Sequence, residues 1–414
     1  MQNFLTLILI SSLLFPQKIF KSFDYNSDHS FVGINSYEFT MDEDGKENRI
    51  LIIKDIFGDI TIIGQETYKV NIKEEIKIRS RSEHKAKKYY EENPTEIKKS
   101  VDGNMIEIRG NSWHRKNVYY HFSITLPVHF NIQTMITGGD IKITNIFGVV
   151  HVITSGGDIK LNGISGKIEA KTSSGDIEVR DSEGNVRLTT SGGDIEVLYT
   201  DGQISGTTSG GDITVRHVEG NVNVSTSGGS IDFSYINGQK IVGITSGGDI
   251  DAEDIRGNIE LRTSGGDIEV EDVDGNFYGK TSGGDIDLES VNGQVEIYTS
   301  AGSIKGFDLA GSIQAETSSG EIEIYKIWNT KLDRHDIDLI TSHGNIKLNI
   351  PREFPSTINA RISGHKSSYE IVSDFPISIT TDFNNIYGHF VNGDGTYTIE
   401  LQTRNGDINI EEED

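Results

Sequence analysis

A five-residue phrase returns along this chain at a fixed interval. Ser155-Gly156-Gly157-Asp158-Ile159 recurs at Ser191, Ser209, Ser246, Ser264 and Ser282, with a variant at Ser173-Ser174-Gly175-Asp176-Ile177. Asp158, Asp176, Asp194 and Asp212 are each 18 residues apart, as are Asp249, Asp267 and Asp285. A strict period this short specifies a stacked array of identical units rather than a globule.

Each period holds a weaker second half. Gly166-Lys167-Ile168 follows Gly157-Asp158-Ile159, and Asp158 to Lys167 is 9 residues; Gly184-Asn185-Val186, Gly257-Asn258-Ile259 and Gly275-Asn276-Phe277 are its equivalents. Within each half the apolar residues alternate, as in Ile159, Leu161 and then Ile168, Ala170. Alternation bounded by glycine is a strand signal. One period therefore reads as two short strands joined by two glycine-rich corners, a single coil of a parallel β-solenoid. One coil buries too few side chains to offset the cost of ordering its own backbone, so coils must fold as a stack. Proline placement agrees. None of the six prolines lies between Pro127 and Pro351, the interval that holds the repeats, and proline cannot donate to a strand ladder.

The flanking regions differ. An apolar run over residues 4–15 has the length of an export signal and is too short to span a bilayer. It is followed by β-rich sequence and one helix candidate from Ser82 to Glu92, with Ser82 as N-cap and Pro94 beyond the end. After Pro351 the period loosens. A hairpin is expected from Gly388 through Gly393-Asp394-Gly395 to Leu401, and then Asn405-Gly406-Asp407-Ile408 repeats the coil phrase once more. The expected organisation is a signal peptide over 1–22, an N-terminal β-rich cap with a short helix over 23–133, the solenoid array over 134–350, and a C-terminal cap over 351–414. Open solenoid ends need such covers.

These pieces together resemble the bacterial putative-adhesin family of β-solenoid envelope proteins, a domain of unknown function. The resemblance rests on the strand pairs and short helix, the strand ending Leu126-Pro127, the Thr-Ser-Gly-Gly-Asp-Ile coils and the closing Thr403-Arg404-Asn405-Gly406-Asp407-Ile408. It implies a parallel β-solenoid at or outside the bacterial envelope, and it carries no catalytic residues over to this chain.

The net charge of −25 argues against nucleic acid and against anionic lipid as partners. Zero cysteines exclude disulfides and a lipid-modified cysteine anchor. Three residue patterns are candidates for chemistry. The first is the aspartate column Asp140, Asp158, Asp176, Asp194, Asp212, Asp249, Asp267 and Asp285. Stacked in register, neighbours sit ~4.8 Å apart and repel, so the column needs compensation. The expected role is structural: each aspartate braces its Gly-Gly corner by accepting backbone N–H bonds in an Asx turn. Calcium binding is the functional alternative, although here aspartate follows Gly-Gly directly, unlike the calcium-binding nonapeptide.

The second pattern is the threonine column from Thr154 to Thr299, which reads as a hydrogen-bonded ladder beside the corners. An ordered-water, ice-binding face is its alternative. The third is the set of aromatics Trp113, Tyr119 and Tyr120 near the first cap, with Tyr325, Trp328 and His335 in an excursion that breaks the period. They either plug the core or stack on a sugar or protein partner. No histidine spacing resembles a metalloenzyme motif. The sequence thus describes an exported, non-enzymatic monomer without cofactor that binds a protein or glycan at the cell envelope. A periplasmic signalling or scaffolding module is the alternative, and a glycan-active enzyme a distant third.

Overall fold

The computed structural model describes residues 17–25, 30–41, 49–110, 117–364 and 369–413. The apolar run over 4–15 and Trp113 lie outside the described residues. The fold is all-β with one helix among the described residues, and most strands pair in parallel. The chain divides into two compact units, residues 1–201 and 202–414.

The first unit opens on antiparallel strands. Gln17–Tyr25 pairs with Ser30–Thr40, which pairs with Lys69–Arg79, which pairs with Val118–Pro127. The helix Glu83–Glu92 covers this sheet. Its N-cap Ser82 accepts from the Lys85 N–H, and Ala86 and Tyr90 face inward. The Tyr90 hydroxyl donates to Asn35 Oδ1 at 2.7 Å, and Asn35 Nδ2 donates to the buried Glu74 carboxylate at 2.6 Å. This chain of bonds satisfies polar groups that burial would otherwise penalise.

From there the ladder turns parallel. Gly58–Gln65 lies between Val118–Pro127 and Ile141–Phe147. Ile141 then pairs with Ile159, Ile159 with Ile177, and Ile177 with Ile195, each 18 residues on. A second parallel face begins at Ile50–Lys54 and runs through Asn131–Met135, Val150–Ile153, Ile168–Lys171 and Val186–Thr189. The stacked phrase therefore starts earlier than the repeat does. Gly58-Asp59-Ile60 sits directly beneath Gly139-Asp140-Ile141, across an insertion that hides the relation in sequence.

The second unit repeats both faces. One runs from Ile213–Glu219 through Ile268–Asp274 and Ile304–Leu309 to Ile346–Pro351 and Ile408–Glu413. The other runs from Ile204–Thr207 through Phe277–Lys280 and Ile313–Thr317 to Ile337–Thr341 and Tyr397–Thr403. The excursion appears in the register: Ile313 pairs with Ile337, 24 residues on.

The expected C-terminal hairpin is not formed. Ser356–Ser363 lies between the two segments, antiparallel to Asn385–Asn392 and parallel to Tyr397–Thr403. Its own alternation places Ile358, Ala360 and Ile362 in the core. That inward face gives it a stronger claim on both neighbours than a glycine-rich turn alone provides. The final phrase does stack: Ile408 pairs with Ile346, and the Asp407 N–H donates to Asn345 Oδ1 at 2.9 Å.

A coil points six side chains inward. In one of them Ile268, Val270, Val273 and Phe277 are each 2% exposed or less, with Gly279 and Thr281 completing the layer. Volume is balanced inside the coil. A Cβ on Gly279 would meet the Phe277 ring at 2.7 Å, and one on Gly243 would meet the Phe233 ring at 2.6 Å. A large residue is thus paired with an absent one, as close packing requires. A third bend, not visible in the periodicity, lies inside the longer strand. Asn145, Asp181, His217, Tyr235, Asp254, Asp272, Ser290 and Asp308 all have φ between 49° and 58°. A left-handed residue there turns the strand so that the next apolar residue again points inward.

Candidate functional site

The two repeating columns have definite structural employment. Each corner aspartate accepts from the backbone N–H of the equivalent position one coil on. Asp158 N–H donates to Asp140 Oδ1 at 2.9 Å, Asp176 N–H to Asp158 at 3.0 Å, and Asp194 N–H to Asp176 at 2.8 Å. In the second unit, Ser230 N–H donates to Asp212 at 2.8 Å, Asp267 N–H to Asp249 at 2.9 Å, and Asp285 N–H to Asp267 at 2.8 Å. Ser303 N–H closes the run on Asp285 at 2.7 Å. The column starts below the repeat, since Asp140 N–H donates to Asp59 Oδ1 at 3.0 Å.

The expected Asx turn is corrected by these bonds, which run between coils instead of within a corner. The reason is that the corner's own N–H groups are already taken. Gly266 N–H donates to Thr263 Oγ1 at 3.3 Å, while the next coil presents a free N–H at the strand spacing. The bonds offset part of the repulsion along the column. Among the described residues, no three His, Cys, Asp or Glu side chains gather into a metal-binding group.

The threonines are buried, at 1–5% exposure for Thr154, Thr172, Thr190, Thr226, Thr245, Thr263, Thr281 and Thr299. Their hydroxyls do not bond one another. Thr263 Oγ1 donates to the Gly248 carbonyl at 2.8 Å, and Thr281 Oγ1 to Gly266 at 2.9 Å. Each hydroxyl thus links the corner of one coil to the corner of its neighbour. A buried row presents nothing to ice.

Of the excursion's aromatics, Trp328 and His335 pack against neighbouring rings, whereas Tyr325 lies half-buried on the outward face of its strand. Trp328 meets Phe354 edge-on at 6.1 Å, and His335 is 0% exposed between Phe354 and Tyr397. Tyr325 stacks on Phe307 at 4.6 Å and donates its hydroxyl to Glu323 at 3.0 Å. Beside His335 lies Lys326, also 0% exposed. It takes the next inward position after the strand's alternating Ile322 and Ile324, two residues on, where it pairs with Leu309 in the coil below. Its ammonium donates to the carbonyls of Leu309 at 3.2 Å, Ala310, and Ile327 at 2.9 Å, and approaches His335 Nδ1 at 3.3 Å. Burial pushes the Lys326 pKa down to about 7. Burial, then the Lys326 charge, lowers that of His335. Sequence reading passed over this lysine. Its signal was a cation where the coil rhythm asks for an aliphatic residue.

The excursion walls an open groove of about 680 Å³ in the second unit, within the usual size range of ligand sites. Its floor is built from two outward rows that cross the strands. Glu260, Tyr278, Glu296, Gln314, Asp338 and Glu400 form one, each in register with the next. Asn258, Asn276, Gln294, Ser312 and Asp336 form the other, at the corner before each strand. Gln239 and Lys240 stand at one end, and Arg334, from the excursion, lines the groove at the other. Six strands at ~4.8 Å separation make the floor about 24 Å long.

Its polar groups are partly committed. Asn276 N–H donates to Asn258 Oδ1 at 3.2 Å and Gln294 N–H to Asn276 Oδ1 at 2.9 Å, which leaves the amide NH2 groups directed outward. Arg262 donates to Glu260 at 2.8 Å and lies 4.4 Å over the Tyr278 ring. Lys240 reaches Glu260 at 3.5 Å. These cations hold the Glu260 carboxyl below its usual range, with the Arg262 hydrogen bond the largest cause. Asp338 is the opposite case. Burial and then the Glu400 and Glu316 charges raise its pKa, and no hydrogen-bond partner reaches its Oδ1.

Such a molecule is a repeat-built, all-β protein with a long polar groove in its second unit. The Toastrack DUF4097 family model matches residues 128–215 and 220–411, and the chain belongs to that family. A comparison with curated proteins returns no match. Among solved structures, a putative cell adhesion protein from Clostridium sporogenes ATCC 15579 is similar at 11% identity. That match covers 92% of this chain and 100% of that one, with a TM-score of 0.18. A putative lipid binding protein from Parabacteroides distasonis ATCC 8503 is similar at 14% identity over 74% and 96% of the two chains, with a TM-score of 0.14. At these TM-scores neither likeness carries an argument about this chain.

Proposed function

We propose that this protein is an exported, non-enzymatic β-solenoid of 18-residue coils, capped at both ends, that binds a partner or envelope polymer at the cell surface. The groove of the second unit is the observation that carries the reading. Its side chains are arranged as recognition surfaces are: rows of amides and carboxylates, several already held by neighbours, over a floor of paired strands. Export is supported by the apolar run over 4–15 and the acidic composition. No described helix is long and apolar enough to cross a membrane. Cell fractionation, combined with binding of the purified protein to an envelope fraction, tests the reading. Recovery in the cytoplasm, or binding unaffected by Gln314→Trp in the groove, would refute it.

A further inference from the structure

The groove has a repeat of its own, and that repeat restricts what it can hold. Every strand of its floor is paired on both sides. An extended peptide therefore finds no free edge to join as an added strand. Laid along the groove instead, a peptide advances ~3.4 Å per residue against ~4.8 Å per tier, and its contacts fall out of phase within two or three tiers. A linear polysaccharide of hexose units advances by close to one strand spacing per sugar, so each sugar meets the same two rows at every tier.

The chemistry of the rows agrees. Outward amide NH2 groups at Asn258 and Asn276 are donors, while Glu296 and Asp338 are acceptors. A ring hydroxyl can serve both. Charge selects further. Glu260, Glu296, Asp336, Asp338 and Glu400 outnumber Lys240 and Arg334 along the groove, and Lys240 is already paired with Glu260. A polyanion is repelled there, whereas a neutral chain or one bearing amines is not. Arg262, seated over one face of Tyr278, fixes that ring between Glu260 and Glu296. Tyr278 is thus a preorganised apolar surface for a sugar ring at the second tier of the floor.

We infer that the groove binds a linear, non-anionic polysaccharide along its length, with one sugar per coil. The inference rests on the groove being the binding site proposed above. Titration calorimetry of the full-length protein with cellohexaose, a glucosamine hexamer, hexagalacturonate and a lysine-rich peptide tests it. The two non-anionic hexamers should bind and the uronate hexamer should not. Affinity should climb with chain length and level off at about six sugars, the number of floor strands. Tyr278→Ala should weaken binding roughly fivefold to tenfold. Gln314→Trp, at an exposed position, should abolish it without changing thermal stability.

Failure of both non-anionic hexamers to bind, or tighter binding of hexagalacturonate, overturns the inference. So does preference for the peptide. If envelope binding is still lost in Gln314→Trp while the hexamers do not bind, the ligand class is wrong and the groove reading stands. If Gln314→Trp leaves envelope binding intact, both fall together.

Discussion

Replacing Lys326 by methionine isolates the most unusual energetic feature of the molecule. The lysine is 0% exposed, and its pKa falls from 10.5 to about 7 through burial. At 1.36 kcal/mol per unit, this corresponds to ~5 kcal/mol of penalty on the charged form. The sign follows from linkage. Between pH 7 and 10.5 the unfolded chain carries a proton on Lys326 that the folded chain releases, so stability rises with pH across that window. Below pH 7 both states are protonated and the full penalty applies. His335 acts in the same direction lower down: its depressed pKa costs stability as pH falls below its unfolded value of ~6.5.

Methionine keeps the stem and removes the titration. Two of the three carbonyls keep other donors, Leu309 from the Ile327 N–H at 3.1 Å and Ala310 facing His335 Nδ1 at 2.9 Å. Stability at pH 7 is therefore expected to change little, with the relieved penalty set against lost ammonium–carbonyl bonds of ~1.5–3 kcal/mol each. The pH slope is the decisive quantity. Urea unfolding at pH 7, 8, 9 and 10 should show wild type gaining on Lys326→Met by ~1.4 kcal/mol per unit, about 4 kcal/mol in all. A difference that stays flat over that range would refute the assignment of a neutralisable lysine to the coil interior.

The corner predicts a sharp asymmetry between adjacent glycines. A Cβ on Gly265 would sit 3.6 Å from the Gly247 carbonyl oxygen, whereas one on Gly266 would sit 2.0 Å from that of Gly248. Gly265→Ala should leave the melting temperature within a degree or two, while Gly266→Ala should cost ~3 kcal/mol or more in chemical unfolding. Thr263→Val keeps shape but strands the Gly248 carbonyl and the Gly266 N–H, and should cost ~1–3 kcal/mol by the same measurement. Asp267→Asn preserves the acceptor for Asp285 N–H and removes a charge between two others, so stability should hold or rise by up to ~1 kcal/mol. Millimolar calcium should leave the wild-type melting temperature unchanged. A calcium-dependent rise that vanishes in Asp267→Asn would show that the column binds cations after all.

The glycine asymmetry also explains why much of this fold could be read from sequence. The first corner position varies: it is glycine in most coils, Ser174 and Ser319 in two, Ala301 in another, and His343 and Asn405 near the end. The second is glycine throughout, because the neighbouring carbonyl leaves no room for a Cβ. The period follows from this steric demand repeated in each coil, the alternation from the inward face of each strand, and the proline exclusion from the ladder's need for N–H donors. Each is therefore legible in a single sequence.

The unread parts have different causes. Asp59 belongs to the aspartate column, but it stands 81 residues before Asp140 instead of the 18 of an ordinary coil. The left-handed column leans to Asp and Asn, at Asn145, Asp181, Asp254, Asp272 and Asp308, but His217, Tyr235 and Ser290 interrupt it, so the preference does not stand out as a motif. The threonines showed their spacing but not their partners, and the expected ladder of hydroxyls is instead a buried brace from each hydroxyl to the neighbouring corner carbonyl. The groove was harder still. Glu260, Tyr278, Glu296 and Gln314 occupy equivalent positions with three different side chains, which in a repeat reads as drift. Where packing fixes a position the coils agree, as at Thr263 and Thr281. Where it does not, they are free to differ, while the rigid, evenly spaced strands still hold a polar or aromatic group at every tier of the groove. In a solenoid the repeated residues hold the chain together, and the binding chemistry is carried by the outward residues that the repeat leaves free.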